Sequence, residues 1–424
     1  MKKIKSILLV LLLTMPSCKT LSPIKVTLHL NGGYLNNQET LKLSLDEFLN
    51  LKEYPVKEDS LFTTYYLDNY LLNEFNFTKN ITTSIDLYAD YVPNIIDYEL
   101  VDDQYVVNDI YEDTYEEVNI PKYLYTKRVT TLNTYSLNNI KVNTLNIKYI
   151  ENIKIDAFKN SEIQYLKIGS YIKNIEYGSF RKISLLKNVT MDFNKFYSVS
   201  NGVILERKED KRRTIIGTYG DDKSMFNEGY FDTIEFDSIA PYAVSNLYYY
   251  DEKLTTKGYS FYIPSTITSL SDYAFNEAKV IAYNKENKNV IQLGVFLFNN
   301  LKEIGKYAFS NSSLTLIKYQ TSKEDNVVVP SKEGVEVFKE GAFQNLDIIN
   351  LTLPLSLRKI EKDCFKYTNP SIIYYEGTEE DFKKIEIESG NESLNNAKIY
   401  FFSKEYKENH WYYDSESVSN PKLY

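Results

Sequence analysis

Two cysteines, two histidines and one tryptophan are all that 424 residues contain of these types. Cys18 and Cys364 cannot build a disulfide framework, and they offer no paired-cysteine metal spacing. His29 and His410 stand far apart, and no His-Glu-x-x-His occurs. A glycine-rich phosphate loop and a Gly-x-Ser-x-Gly elbow are missing too. Positive charge is short, with 49 Lys and Arg against 58 Asp and Glu and a net charge of −9. That balance argues against nucleic acid, whose phosphates need clustered positive charge. No apolar run reaches the roughly 20 residues of a permanent membrane span. The sequence therefore predicts no enzyme, no metal and no cofactor. Carboxylates are plentiful enough for a glycosidase pair, but nothing in the sequence singles one out.

What is present begins with Lys2, Lys3 and Lys5, followed by an apolar run over 7–13 and then Ser17-Cys18. A basic segment before a short apolar one is the pattern of a secretory leader. It predicts a signal peptide over 1–17 and a linker over 18–23. The junction, with Met15 and Pro16 before Ser17-Cys18, resembles the lipobox of bacterial lipoproteins. That resemblance implies acylation of Cys18, a membrane anchor and a place outside the cytoplasm; the alternative is an ordinary cleaved leader.

Residues 24–92 read as a first folded unit. Ile24, Val26, Leu28 and Leu30 alternate with polar residues, the period of a half-buried strand, and Asn31-Gly32-Gly33 is a turn signal. Pro55 breaks the middle, and Asp86-Leu87-Tyr88-Ala89 closes the unit. These phrases resemble the Listeria–Bacteroides repeat, the internalin-type B repeat, with Thr64-Tyr65-Tyr66 where that family carries Gly-Trp-Tyr. The resemblance implies a small β-grasp-like module serving as a spacer. His29, alone on a strand, reads as structural. Residues 93–123 are acidic and lack the Asp-x-Asp-x-Asp-Gly pattern of a calcium loop. They are expected to form a connector or cap.

From 124 to 400 one phrase recurs: an apolar residue, three variable residues, a small residue, then Phe. Its copies begin at Ile153, Ile175, Leu270, Ile304, Phe338 and Ile360, with looser ones at Leu132 and Ile239. The small residues lie 21 (136 to 157), 22 (157 to 179), 64 (179 to 243), then 31, 34, 34 and 22 residues apart. A period near 22 falls in the leucine-rich range. Between the phrases run short strands such as Val142…Leu145…Ile147, Ile163…Leu166…Ile168, Leu186…Val189…Met191, Leu314…Ile317…Tyr319 and Leu346…Ile349…Leu351. Several strands end in Gly or Pro, as at Ile263-Pro264 and Leu353-Pro354. Both phrases, in order, resemble the BspA-like leucine-rich repeat family. The resemblance implies a strand-rich, irregular leucine-rich-repeat solenoid, a bacterial cell-surface setting, and a role in adhesion or protein–protein interaction. Cys364 occupies a small-residue position and reads as inert packing. The 64-residue gap predicts a hairpin or decayed unit. Thr378 and Asp381 predict a capping box and a terminal helix over 379–387.

In each strand phrase the residue between the last two apolar positions should face outward. Those residues are Asn146, Lys167, Thr190, Lys318 and Asn350, with Tyr262 and Val328 in the strands that end in Pro. They form the candidate partner-binding face, since repeat arrays use such extended surfaces. The expected partner is a protein on another cell, the host or the matrix; the oligomeric state is left open. The competing readings are an envelope lipoprotein without external ligand and a glycan-binding accessory protein. Lys211-Arg212-Arg213 reads as a solvated loop. The tail, 401–424, is expected to lay an aromatic strand over the last coil and to be disordered past Asp414.

Overall fold

The computed structural model describes residues 23–111, 114–184, 186–210, 212–220, 234, 236–244, 247–250, 252, 259–324, 327–413 and 421–424. The leader, Cys18 and Lys211 lie outside them. The chain divides into two compact units, Met1–Asn94 and Ile95–Tyr424.

The first unit is a four-stranded mixed sheet built from β1 (Lys25–His29), β2 (Thr40–Ser44), β3 (Ser60–Tyr66) and β4 (Ile85–Pro93) in the order β2-β1-β4-β3. The first and last strands run parallel at its centre, and the other two flank them antiparallel. This is the β-grasp-like arrangement. Its helix α1 (Leu45–Leu49) opens with a Ser44–Glu47 capping box and buries Phe48. Asn31 (φ +46°) and Gly32 (φ +80°) make the turn after β1, and Asn31 Nδ2 donates to the Ala89 carbonyl across the sheet at 2.8 Å. The alternating Val26, Leu28 and Leu30 are fully buried against Leu87 and Ala89.

The second unit is a β-solenoid of about 11 turns, built on ladders of longer strands and ladders of two-residue strands. The recurring phrase starts on the short strands. Leu132, Ile153 and Ile175 stand side by side, and so do Leu270, Ile304, Phe338, Ile360 and Ile387. After most of the short strands the chain turns twice through the left-handed region. One such position precedes the small residue (Asp156, Tyr273, Tyr307, Asp363), and one follows three residues later (Asn160, Glu277, Asn311, Tyr367). The small residue sits inside the bend, where the Phe N–H of one coil donates to its carbonyl in the next: Phe275 to Ala308 at 2.7 Å, Phe309 to Ala342 and Phe343 to Cys364 at 2.9 Å. The Phe rings follow as a stacked column, with centroids 5.0–5.6 Å apart from Phe275 through Phe309 and Phe343 to Phe365. Gly341 (φ +65°) is required where it stands, because a Cβ there would lie 2.2 Å from the Tyr307 ring.

Several boundaries differ from the sequence-based expectation. The acidic 93–123 stretch supplies strands to the array itself. Ile96–Val101 and Gln104–Ile110 form a hairpin whose second strand pairs with Lys127–Leu132, and Thr114–Asn119 pairs with Lys141–Ile147. Buried Val107, Ile110 and Val118 drive this, while the carboxylates Glu99, Asp103, Asp109 and Glu117 stay exposed. The 64-residue gap holds an antiparallel meander, Tyr197–Ser200, Val203–Arg207 and Arg213–Thr218, and its last strand pairs with Ser238–Ile239. The terminal helix covers only Glu379–Phe382 behind its Thr378–Asp381 capping box; Glu386–Ile387 then rejoins the short-strand ladder. At the end, Asn350–Leu353, Ile372–Tyr375, Lys398–Phe402, His410–Tyr413 and Pro421–Leu423 make one five-stranded sheet. Residues 421–423 are thus paired rather than disordered; 414–420 lie outside the described residues.

Candidate functional site

The longer strands bury alternate residues in the coil and turn the others outward. In the first long-strand sheet the outward row is continuous. Asn119, Asn146, Lys167 and Thr190 are register partners on four parallel strands. Asn119, Lys167 and Thr190 are exposed and Asn146 is half-buried. Asn146 Oδ1 has no hydrogen-bond partner among the described residues. Three predicted face residues are therefore together, and Asn119 joins them.

The middle sheet carries a second row. Tyr262 pairs with Phe296, and Phe296 with Lys318. Phe296 was not foreseen, although the alternation Leu293, Val295, Leu297 marks a strand around it. Tyr262 and Phe296 stack at 5.3 Å with 29° between their planes; Phe298 meets Phe296 edge-on at 5.0 Å. Burial without a counter-charge holds the Lys318 ammonium below the usual lysine pKa. Lys318 has no ion pair or hydrogen bond among the described residues.

Asn350 is exposed and shares its strand face with Thr352. The apolar phrase itself runs two residues later than the sequence reading: Ile349 is 65% exposed while Ile348, Leu351 and Leu353 are buried, so the residue between the last two apolar positions is Thr352. Thr352 pairs with Tyr374, and Tyr374 with Tyr400. Here the face is closed. The hairpin Thr321–Glu324 and Val327–Pro330 contributes Val328 to a small outer core with Tyr374, Tyr400, Trp411 and Tyr413. Val328, expected to face outward, is buried. Trp411 is fully buried and donates from Nε1 to the Tyr375 carbonyl at 3.0 Å. Beside it, the buried Glu376 carboxylate accepts from the Tyr413 hydroxyl and from the Leu355 N–H. Burial pushes the Glu376 carboxyl up to about 7, against those hydrogen bonds.

Several charged groups elsewhere are paired within the chain. A cleft of 670 Å³ contains mixed charges, but Lys182 pairs with Glu277 at 3.1 Å and Lys288 with Glu162 at 3.6 Å. Arg212 pairs with Asp210 at 2.6 Å. His29 contacts Asp86 at 3.2 Å and stacks on Tyr88. Cys364 is fully buried, and burial raises its thiol pKa. Among the described residues no three or more His, Cys, Asp and Glu are grouped to hold a metal ion, and no helix is long and apolar enough to cross a membrane.

Comparison with known proteins adds a family. The model of the BspA type leucine rich repeat region matches in six copies, over residues 108–206, 244–371 and 294–410. No curated protein matches the chain. Similar solved structures include a leucine rich cell surface protein from Faecalibacterium prausnitzii A2-165, at 11% identity over 70% of this chain and 97% of that one, TM-score 0.32. Leucine-rich repeat proteins from Bacteroides ovatus ATCC 8483 (15%, 74% and 71%, TM-score 0.31) and Eubacterium ventriosum ATCC 27560 (14%, 75% and 96%, TM-score 0.35) are also similar.

Proposed function

The chain belongs to the BspA-type leucine-rich repeat family, and on that premise we propose that it is a non-enzymatic surface lipoprotein that binds a protein partner through the outward faces of its long strands. The observation that carries this reading is the uninterrupted row Asn119, Asn146, Lys167 and Thr190. Four parallel strands about 4.8 Å apart make it an open polar strip, the kind of extended surface that repeat arrays use for recognition. The leader and Cys18 support a lipid tether; two acyl chains anchor stably. Replacing Cys18 by Ala is expected to release the protein from the membrane fraction, and unchanged fractionation overturns the anchor.

Binding is tested by displaying the chain on cells and measuring capture of host, matrix or neighbour-cell proteins. The double variant Lys167→Glu, Lys318→Glu is expected to lower capture at least about tenfold. Unchanged capture moves the site elsewhere. Silence against every protein partner, with no signal on a glycan array, favours an envelope role without external ligand.

A further inference from the structure

The middle row differs from the polar strip in a way that specifies a ligand. Tyr262 and Phe296 cover each other's faces, and Phe298 covers part of Phe296. Ring faces are what a pyranose needs for stacking, and the Tyr262–Phe296 pair uses one face of each ring on the other. What the row offers outward is ring rims, the positive edge of the aromatic quadrupole. Lys318 stands next to Phe296 in the same row. Its ammonium is half-buried and has no counter-ion among the described residues, and a partly buried charge is costly until it is paired. Of the three cleft lysines, Lys182 and Lys288 already have carboxylates, and none of the three stands in an aromatic row. The strip is thus apolar, electropositive and short of one anion.

We propose that Tyr262, Phe296, Phe298 and Lys318 form a docking site for an acidic protein segment, one that sets a carboxylate on the Lys318 ammonium and an adjacent apolar side chain against the ring rims. This rests on the partner-face reading and names the chemistry that reading leaves open. It also divides the labour of the face: Lys318 recognises the carboxylate, and the exposed polar row around Lys167 meets the rest of the partner. Binding removes the isolation of the ammonium, so the Lys318 pKa rises when the site fills.

The test titrates the full chain with a peptide alternating glutamate and phenylalanine, with its glutamine counterpart, and with oligogalacturonate. The acidic peptide is expected to bind at least about tenfold more tightly than the glutamine peptide, with the preference shrinking as salt rises. Lys318→Gln abolishes the preference, Lys318→Arg keeps it, and Lys52→Gln, at an exposed lysine of the first unit, leaves it in place. Isotope-labelled lysine reports an upward Lys318 pKa shift on binding. No preference for the acidic peptide, an unchanged preference in Lys318→Gln, or tighter binding of oligogalacturonate than of the acidic peptide each overturns the proposal. Peptide binding at Lys318 with no protein capture on cells sinks the broader reading alone; capture that survives Lys318→Gln sinks this one alone.

Discussion

The two ends of the solenoid present the same strand face differently. Near the start, Asn146, Lys167 and Thr190 leave it polar and open. Near the end, Thr352, Tyr374, Tyr400 and Trp411 make it aromatic, and the chain covers it with its own hairpin and last strands. The inward residues scarcely change, since both ends bury an alternating apolar set in the coil. The outward residues therefore decide whether a coil meets solvent or becomes the middle layer of a second core. A polar row needs no cover; an aromatic row exposed over several strands would be an aggregation-prone patch.

The comparison breaks most sharply at Trp411. Trp411→Ala removes a fully buried ring and its hydrogen bond to Tyr375. It is expected to cost about 3–5 kcal/mol, and Lys167→Ala at the open end under about 0.5 kcal/mol. Denaturant unfolding of both variants measures the gap, and limited proteolysis beyond residue 402 reports whether the terminal strands have detached. Equal costs would mean that the outer core does not hold the tail.

Acidity separates the ends next. Glu376 has a folded pKa of about 7, above its ordinary 4.5, so the folded state holds the proton more tightly than the unfolded one. The favourable contribution is complete below pH 4.5 and is lost as pH rises through 7. Over that window stability at this site is expected to fall by a few kcal/mol. Glu376→Gln should flatten the profile. A wild-type profile already flat between pH 5 and 8 would contradict the buried carboxyl.

The smallest contrast uses one ladder position at both ends. Thr190→Lys is expected to change stability by less than about 0.5 kcal/mol. Thr352→Lys sets an ammonium against the outer core at a position 8% exposed and should cost about 2 kcal/mol. If Thr352→Lys is equally silent, the hairpin opens without penalty.

The repeat was legible because its demands are local. A tight double bend needs a small residue inside it, and a stacked column needs Phe after it, so Ala157-Phe158, Ala308-Phe309 and Cys364-Phe365 announce themselves. The phrase around Asn350 was read two residues early, on the correct face, because 346–353 is apolar at 346, 348, 349, 351 and 353. Two strand registers fit such a run, and only packing rejects Ile349. The burial of Val328 was illegible for a different reason: its partners Tyr374, Tyr400 and Trp411 lie 46 to 83 residues away. Phe296 was missed because an insertion parts its strand from the recurring phrase. At 24–33 and 85–89 the alternation sufficed, since a four-stranded sheet with one buried face leaves little choice of register.

Asn391 ends the bend column. The last coil, which rejoins the ladder at Glu386–Ile387, offers Phe365 no small-residue carbonyl, so its N–H donates to Asn391 Oδ1 at 2.9 Å, while Asn391 Nδ2 donates to the Glu361 and Glu388 carbonyls. A single buried side chain impersonates the backbone of a missing repeat. The terminus is therefore indifferent to how many coils precede it. Duplicating the 22 residues between positions 342 and 364 would lengthen the molecule without remaking its end, and such a gene could drift in repeat number while its last coil stayed fixed.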